Sequence, residues 1–172
     1  MTAQSPQLIM RKTNMAVIPR ISLPDGVTLH THIPGNEKVW ENIVERAFGA
    51  HFDFDSSLTS RPGYKPEHVF YLAKDGRDIA TVSAIEKETY PGEGWLHMVA
   101  VDPDAQGLGL SFPLVAVALS SFRSRGFASV VLSTDDFRLP AIKTYLRLGF
   151  EPLMDHESYP ARWDAIFAKI RR

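Results

Sequence analysis

The residues whose types and spacing could do chemistry run from Gly94 to Ser111. An apolar stretch, Gly94-Trp95-Leu96-His97-Met98-Val99-Ala100-Val101, leads into Asp102-Pro103-Asp104-Ala105-Gln106-Gly107-Leu108-Gly109-Leu110-Ser111. A long apolar, helix-like run from Phe112 to Phe122 follows. Glycines let the backbone turn tightly and expose its amides without a Cβ in the way. The first turn of a helix leaves N–H groups unpaired and carries the positive end of the helix dipole. A strand that delivers a glycine turn to a helix start therefore builds an anion site, and a pyrophosphate is its natural occupant. No Lys-Ser/Thr pair follows Gly109, which sets a P-loop aside. Phe112 stands where the dinucleotide fingerprint needs its third glycine, although Asp135 could imitate that fold's ribose-binding acid.

Two blocks together carry a resemblance. Gln106-x-x-Gly109-x-Ser111, placed after Val99-Ala100-Val101-Asp102-Pro103, resembles the acetyl-CoA pyrophosphate loop of the GCN5-related N-acetyltransferase (GNAT) family. Pro140-Ala141-Ile142-Lys143-Thr144-Tyr145-Leu146-Arg147-Leu148-Gly149-Phe150 is similar to that family's later helix, which ends in Tyr, three residues, then Gly-Phe. One helix and one strand fit between the blocks, which span about a third of the chain. Two positions depart from the pattern. Ser111 replaces a Gly or Ala, and Arg138 stands where the family often has Asn.

The resemblance implies acetyl-CoA as co-substrate and a primary amine of a small molecule or peptide as acceptor, joined by direct transfer. It implies cofactor contacts from Val99, Ala100 and Val101 on the fourth strand, whose amides would polarise the carbonyl. It implies the same of Gln106, Gly107, Leu108, Gly109, Leu110 and Ser111 around the pyrophosphate. Arg138 would bring a cation to a phosphate, and the Ser111 hydroxyl would join the amides. Tyr145 resembles the tyrosine that meets the sulfur and would serve as general acid. His97 lies near the expected acyl end and titrates in the useful range when unperturbed, so it stands as candidate base. Glu86, Glu88 and Glu93 are runners-up. A domain that holds acyl-CoA without turnover, for sensing or scaffolding, is the alternative reading, and a dinucleotide-binding enzyme ranks below it.

Composition narrows the rest. Formal net charge is −1, so no basic field argues for nucleic acid. No cysteine occurs, which excludes disulfides, thiolate zinc sites and a cysteine nucleophile. His30, His32 and His51 form no ligand set with acids, and no metal is expected. No apolar run reaches the length of a membrane span, and the first residues lack a signal peptide's pattern. Cytoplasmic residence follows as the expectation, with a homodimer allowed for.

At 172 residues the chain suits one domain. Residues 1–24, polar and broken by Pro6, Pro19 and Pro24, read as an N-terminal arm, with the domain over 25–172. Val27 to Ile33 alternates as a first strand, and a helix from Asn36 to about Phe48 repeats Val39, Trp40, Ile43, Val44 and Ala47 at helical spacing. Gly49 to Pro66 is irregular and aromatic, placed to lie over the acceptor groove or to plug the core edge. Strands are predicted over His68–Ala73, Asp78–Lys87 and Gly94–Val101, and a helix from Gly109 to Arg125. Ala128–Ser133 reads as a buried strand and Leu139–Leu148 as a helix. Phe150–Met154 and Ala165–Ile170 are predicted as the last two strands. The sum is a single three-layer α/β domain: a mixed central sheet of about seven strands with helices on both faces.

Overall fold

A seven-stranded sheet runs through residues 5–171, the part of the chain that the computed structural model describes. Its strands are β1 (Leu8–Lys12), β2 (Val27–Thr31), β3 (Val69–Lys74), β4 (Arg77–Glu86), β5 (Gly94–Val101), β6 (Val130–Thr134) and β7 (Glu151–Pro152). In space they run β2-β3-β4-β5-β6-β1-β7, with β5 and β6 parallel and every other neighbouring pair antiparallel. Four helices cover it: α1 (Glu37–Phe48), α2 (Ser111–Ser124), α3 (Leu139–Arg147) and α4 (Tyr159–Ile170). No described helix is long and apolar enough to cross a membrane.

Alternation along the strands feeds two cores. On β3, Phe70 and Leu72 pack toward α2, α3 and α4, while Val69 and Tyr71 pack toward α1. The α1 side is closed by Trp40, Ile43 and Val44 of the helix with Phe54 and Leu58 of the segment after it. Burying each such side chain contributes on the order of 1.5–3 kcal/mol. Glu41, buried on the same helix, accepts from the Phe54 amide (3.0 Å) and from Lys38 Nζ (2.6 Å). That carboxylate pins the aromatic segment to α1.

Two expectations are corrected. Residues 1–24 are not an arm throughout, and the domain does not begin at residue 25. Leu8–Lys12 is β1, paired over its length with β6 from Leu8↔Thr134 to Lys12↔Val130. Residues 1–4 of the expected arm lie outside the described residues. Leu8, Met10 and Lys12 all face inward, and Lys12 hides the pattern by putting a charged residue on a buried position. Its stem is covered and its ammonium lies beside Gly149, past the end of α3, where carbonyls favour a cation. Ala165–Ile170, expected as the last strand, belongs to α4. Tyr159, Trp163 and Ile166 are its buried side chains, at helical spacing, and Pro160 stands in its first turn. The strand count therefore holds, but with β1 inside the sheet and no strand at the end of the chain. β7 keeps only Glu151–Pro152 of the expected Phe150–Met154.

The central feature is the parting of β5 from β6. They pair only at Gly94↔Val130 and Trp95↔Val131. Beyond Trp95, the edge of β5 that faces β6 carries amides and carbonyls with no strand partner. A bulge sits at the same place. Thr81↔Ala100 and Ser83↔His97 differ in register by one residue, and Met98 takes a φ of 50°. The extra residue inverts the alternation. Trp95 and Ala100 therefore share the α1 core although an unbroken strand would set them on opposite faces.

Candidate active site

The glycine turn is built as the sequence implies. β5 ends at Val101, a short 3₁₀ turn covers Pro103–Ala105, and α2 begins at Ser111. Asp102, buried, caps that turn by accepting from the Asp104 amide (2.9 Å), and it also accepts from Arg46 Nη2 of α1 (3.1 Å). Gly107 and Gly109 take φ of 86° and 72°, a conformation that side chains with a Cβ rarely adopt. The amides of Gly107, Gly109, Leu110, Ser111 and Phe112 have no hydrogen-bond partner among the described residues. Pro113 has no amide to leave unpaired, and Leu114 makes the first bond of the helix ladder, to Leu110. Unpaired donors converge where the helix dipole is positive, with open space in front of Gly109.

In front of these amides lies a cleft of about 900 Å³ between the turn, the start of α2 and the exposed side of α3. Val99, Val101, Gln106, Gly107, Gly109, Leu110, Ser111, Arg138 and Tyr145 all border it. Two expected contacts do not present side chains there. Ala100 is turned into the α1 core by the bulge, and the Leu108 side chain is exposed outside the cleft. Residues that no motif singled out also border the cleft, among them Phe48, Phe137, Thr144 and Arg147. Arg147, its guanidinium 4.6 Å from the Phe112 ring centroid, adds a cation beside the helix start. Thr144 and Arg147 lie three residues apart on α3 within the block noted for Tyr145, whereas nothing in the sequence marked Phe48 or Phe137 for this cleft.

A second, smaller groove of about 390 Å³ opens where β5 and β6 part. Leu96, His97, Met98 and Val99 form one wall and Leu132, Ser133 and Thr134 the other. Phe52, Ser57 and Arg61 from the segment after α1 and Gln7, just before β1, also line it. Cleft and groove share Phe48, Val99, Arg138, Ala141 and Tyr145, so they meet at the Tyr145 side chain.

The electrostatics at the junction follow from burial. Tyr145 is buried with its ring edge-on to Phe150 (5.9 Å between centroids), and burial pushes its phenol up to about 12 against the pull of Arg138. It stays a protonated donor at neutral pH. Burial, then the charges of Arg61 and Lys87, push His97 down to about 4, so the imidazole is neutral. Trp95 Nε1, which can only donate, points at His97 Nδ1 at 3.3 Å, so the ring proton belongs on Nε2. Arg138 donates from Nε to Asp135 (3.0 Å) and lies 4.3 Å from the Phe48 ring centroid. Glu93, a runner-up for base, accepts from Arg11 (2.7 and 2.8 Å) and Ser129 (2.7 Å), which leaves it little room to act.

The sequence model of the Acetyltransferase (GNAT) family matches residues 37–150, and the chain belongs to that family. The chain is 34% identical over 142 residues to a mycothiol acetyltransferase of Thermomonospora curvata, covering 77% of this chain and 47% of that protein. It is 33% identical over 156 residues to a mycothiol acetyltransferase of Saccharomonospora viridis, covering 82% and 51%. The chain thus spans about half the length of the curated relatives it matches. A crystal structure of a GCN5-related N-acetyltransferase from Sphaerobacter thermophilus superposes with a TM-score of 0.71 at 26% identity, covering 87% of this chain and 50% of that one. The ribosomal-protein-S18-alanine N-acetyltransferase of Escherichia coli shares the fold with a TM-score of 0.64 at 24% identity, over 77% of this chain and 83% of that one.

Proposed function

We propose that this domain moves an acetyl group from acetyl-CoA to a primary amine of a small molecule or peptide by direct transfer. One observation carries the reading: a cleft walled by unpaired helix-start amides runs into a groove between parted strands, and the two meet at a buried, protonated tyrosine. Bound acetyl-CoA would supply an activated thioester carbonyl. The amides of Gly107, Gly109, Leu110 and Ser111 would hold its diphosphate, with Gln106 and the Ser111 hydroxyl beside them. The unpaired edge of β5 from Val99 to Val101 would hold the pantetheine and direct an N–H at the carbonyl oxygen, with Ala100 contributing backbone alone. Arg138, at the junction, would face the pantetheine end more than the diphosphate. The Tyr145 phenol would donate to the sulfur as negative charge builds there.

His97 was expected as the base. A nitrogen already occupied by the Trp95 indole and a pKa of about 4 make it a poor proton acceptor. We assign its Nε2–H a hydrogen bond to the acceptor instead. His97→Gln should then raise KM for the acceptor and leave kcat and the acid limb of the pH profile nearly unchanged. A collapse of kcat together with loss of that limb would restore the base.

Calorimetry with CoA tests the binding half of the proposal, and thiol release across a panel of amines tests the transfer half. CoA binding without turnover on any amine would favour a non-catalytic acyl-CoA holder. Failure to bind CoA would overturn both readings.

A further inference from the structure

Two cations stand together at the outer end of the groove without a carboxylate partner. Arg61 borders the groove itself. Lys87 borders an adjoining cavity of about 400 Å³, which shares Gln7 and Ser133 with the groove. Their closeness is built into the backbone. Glu86 donates its amide to the Pro62 carbonyl (2.9 Å), joining the residues next in sequence to each cation. Lys87 is held further by aromatic contact, its Nζ 4.1 Å from the Trp95 ring centroid, and Trp95 is the indole that donates to His97.

The arginines nearby are spoken for: Arg11 pairs with Glu93, Arg125 with Glu86 and Arg138 with Asp135. Arg61 and Lys87 make no ion pair with any carboxylate among the described residues. Glu88, which follows Lys87 and is exposed, makes no ion pair with it, though its charge opposes part of the effect of Arg61; Asp155, which borders the same cavity, makes no ion pair with either cation. Burial and then Arg61 hold the Lys87 ammonium below the ordinary lysine range, and both cations contribute to keeping His97 neutral. Two like charges near a neutral N–H donor repel one another until an anion arrives, and an anion that bridges them gains charge-assisted hydrogen bonds. Arg61 is exposed and Lys87 half-buried, so the rim can be reached from solvent.

Resting on the transferase reading above, we infer that the Arg61–Lys87 rim binds an acidic group on the acceptor, so that the acceptor is an amine carrying its own carboxylate or phosphate.

The test compares matched acceptors on the wild-type protein and on Arg61→Gln, Lys87→Gln and the double variant. Alanine is set against alaninamide, Ala-Asp against Ala-Asn, and phosphoethanolamine against ethanolamine. Wild type should prefer the acid of at least one pair by about 10–100-fold in kcat/KM, the scale of one or two charge-assisted hydrogen bonds. The variants should lose that preference through KM, with the neutral partners' kinetics and CoA affinity unchanged. A preference confined to the phosphate pair or to the carboxylate pairs identifies which acid the rim takes. Calorimetric binding of the preferred acid to the CoA-loaded protein should weaken in parallel. Equal use of acid and neutral partners, or a preference that survives in the double variant, overturns the inference and leaves the transferase reading standing. Absence of turnover on every amine, with CoA still bound, overturns both.

Discussion

The cleft at the helix start and the groove between the parted strands are made of different material. The cleft offers backbone amides on one continuous stretch of chain, Gly107 to Phe112, where two glycines set the conformation. The groove offers side chains from segments far apart in sequence: Gln7 from the start, Arg61 from the segment after α1, His97 from β5 and Thr134 from β6. Amides at a helix start read charge and shape and are indifferent to side-chain identity, so this end suits a ligand that never varies. A wall of imported side chains can be changed one residue at a time, so this end suits a ligand that does. A mutation in the cleft should therefore strike every acceptor equally, while one in the groove should strike them unequally.

The harshest way to break that division is Gly109→Val. A β-branched residue at φ 72° is strained even though the space around it is open, and relieving that strain would re-aim the neighbouring unpaired amides. CoA binding should vanish by calorimetry, with the fold retained by circular dichroism. Unchanged affinity would move the diphosphate elsewhere. Next comes Tyr145→Phe, which keeps the ring against Phe150 and removes the donor. Turnover should fall by about 10²-fold, the low end for a general acid, because a phenol near 12 gives up its proton reluctantly to a thiolate of ordinary pKa near 8.5. CoA affinity should hold, and the loss should be the same on every acceptor. Equal turnover with chemistry shown to be rate-limiting would remove Tyr145 from the mechanism.

Ser111→Ala sharpens the comparison within the cleft. It should keep turnover and weaken CoA binding by roughly 1 kcal/mol or somewhat more, the scale of one hydrogen bond to a charged group, while Ser111→Leu should block binding by bulk. Tight binding by the leucine variant would dislodge the turn from its role. The smallest effect belongs to the groove side and to acid. Glu41 is held below the usual carboxylate range, first by Lys38 and then by the Phe54 amide. A depressed carboxylate stabilises the fold above its unfolded pKa, near 4.3, and that contribution drains away as pH falls through the lower folded value. Below about pH 4 the aromatic segment should loosen first, at a cost of about 1 kcal/mol or less. Hydrogen exchange over residues 50–62 should then quicken while exchange in α2 does not. A matching rise in α2 would mean that the two ends are not independent.

The same division explains what could be read from the sequence. The span from Gly94 to Phe150 was legible because strand, glycine turn and helix are neighbours in the chain and each leaves its own periodicity. The parting of β5 from β6 was not, since pairing that stops after Trp95 leaves no mark in either strand. Ala165–Ile170 is a short apolar run, which suits a strand or a helix, and only Tyr159 and Trp163 upstream decide for the helix. Leu8–Lys12 hid its alternation behind Lys12. Arg61 had no signal at all: one charged residue in an irregular stretch gains meaning only when Pro62 meets Glu86.

The position of β1 sets a timetable. Leu8 pairs with Thr134, so the second strand from the sheet's edge is laid against a partner far away along the chain. Closing so large a loop yields little until its far end exists, and long-range pairings are slow to form. The strands β3, β4 and β5 are joined by short turns and can assemble early. The groove wall made by Gln7 and β6 waits for that distant pairing, so the glycine turn that follows β5 can form before the groove it opens into.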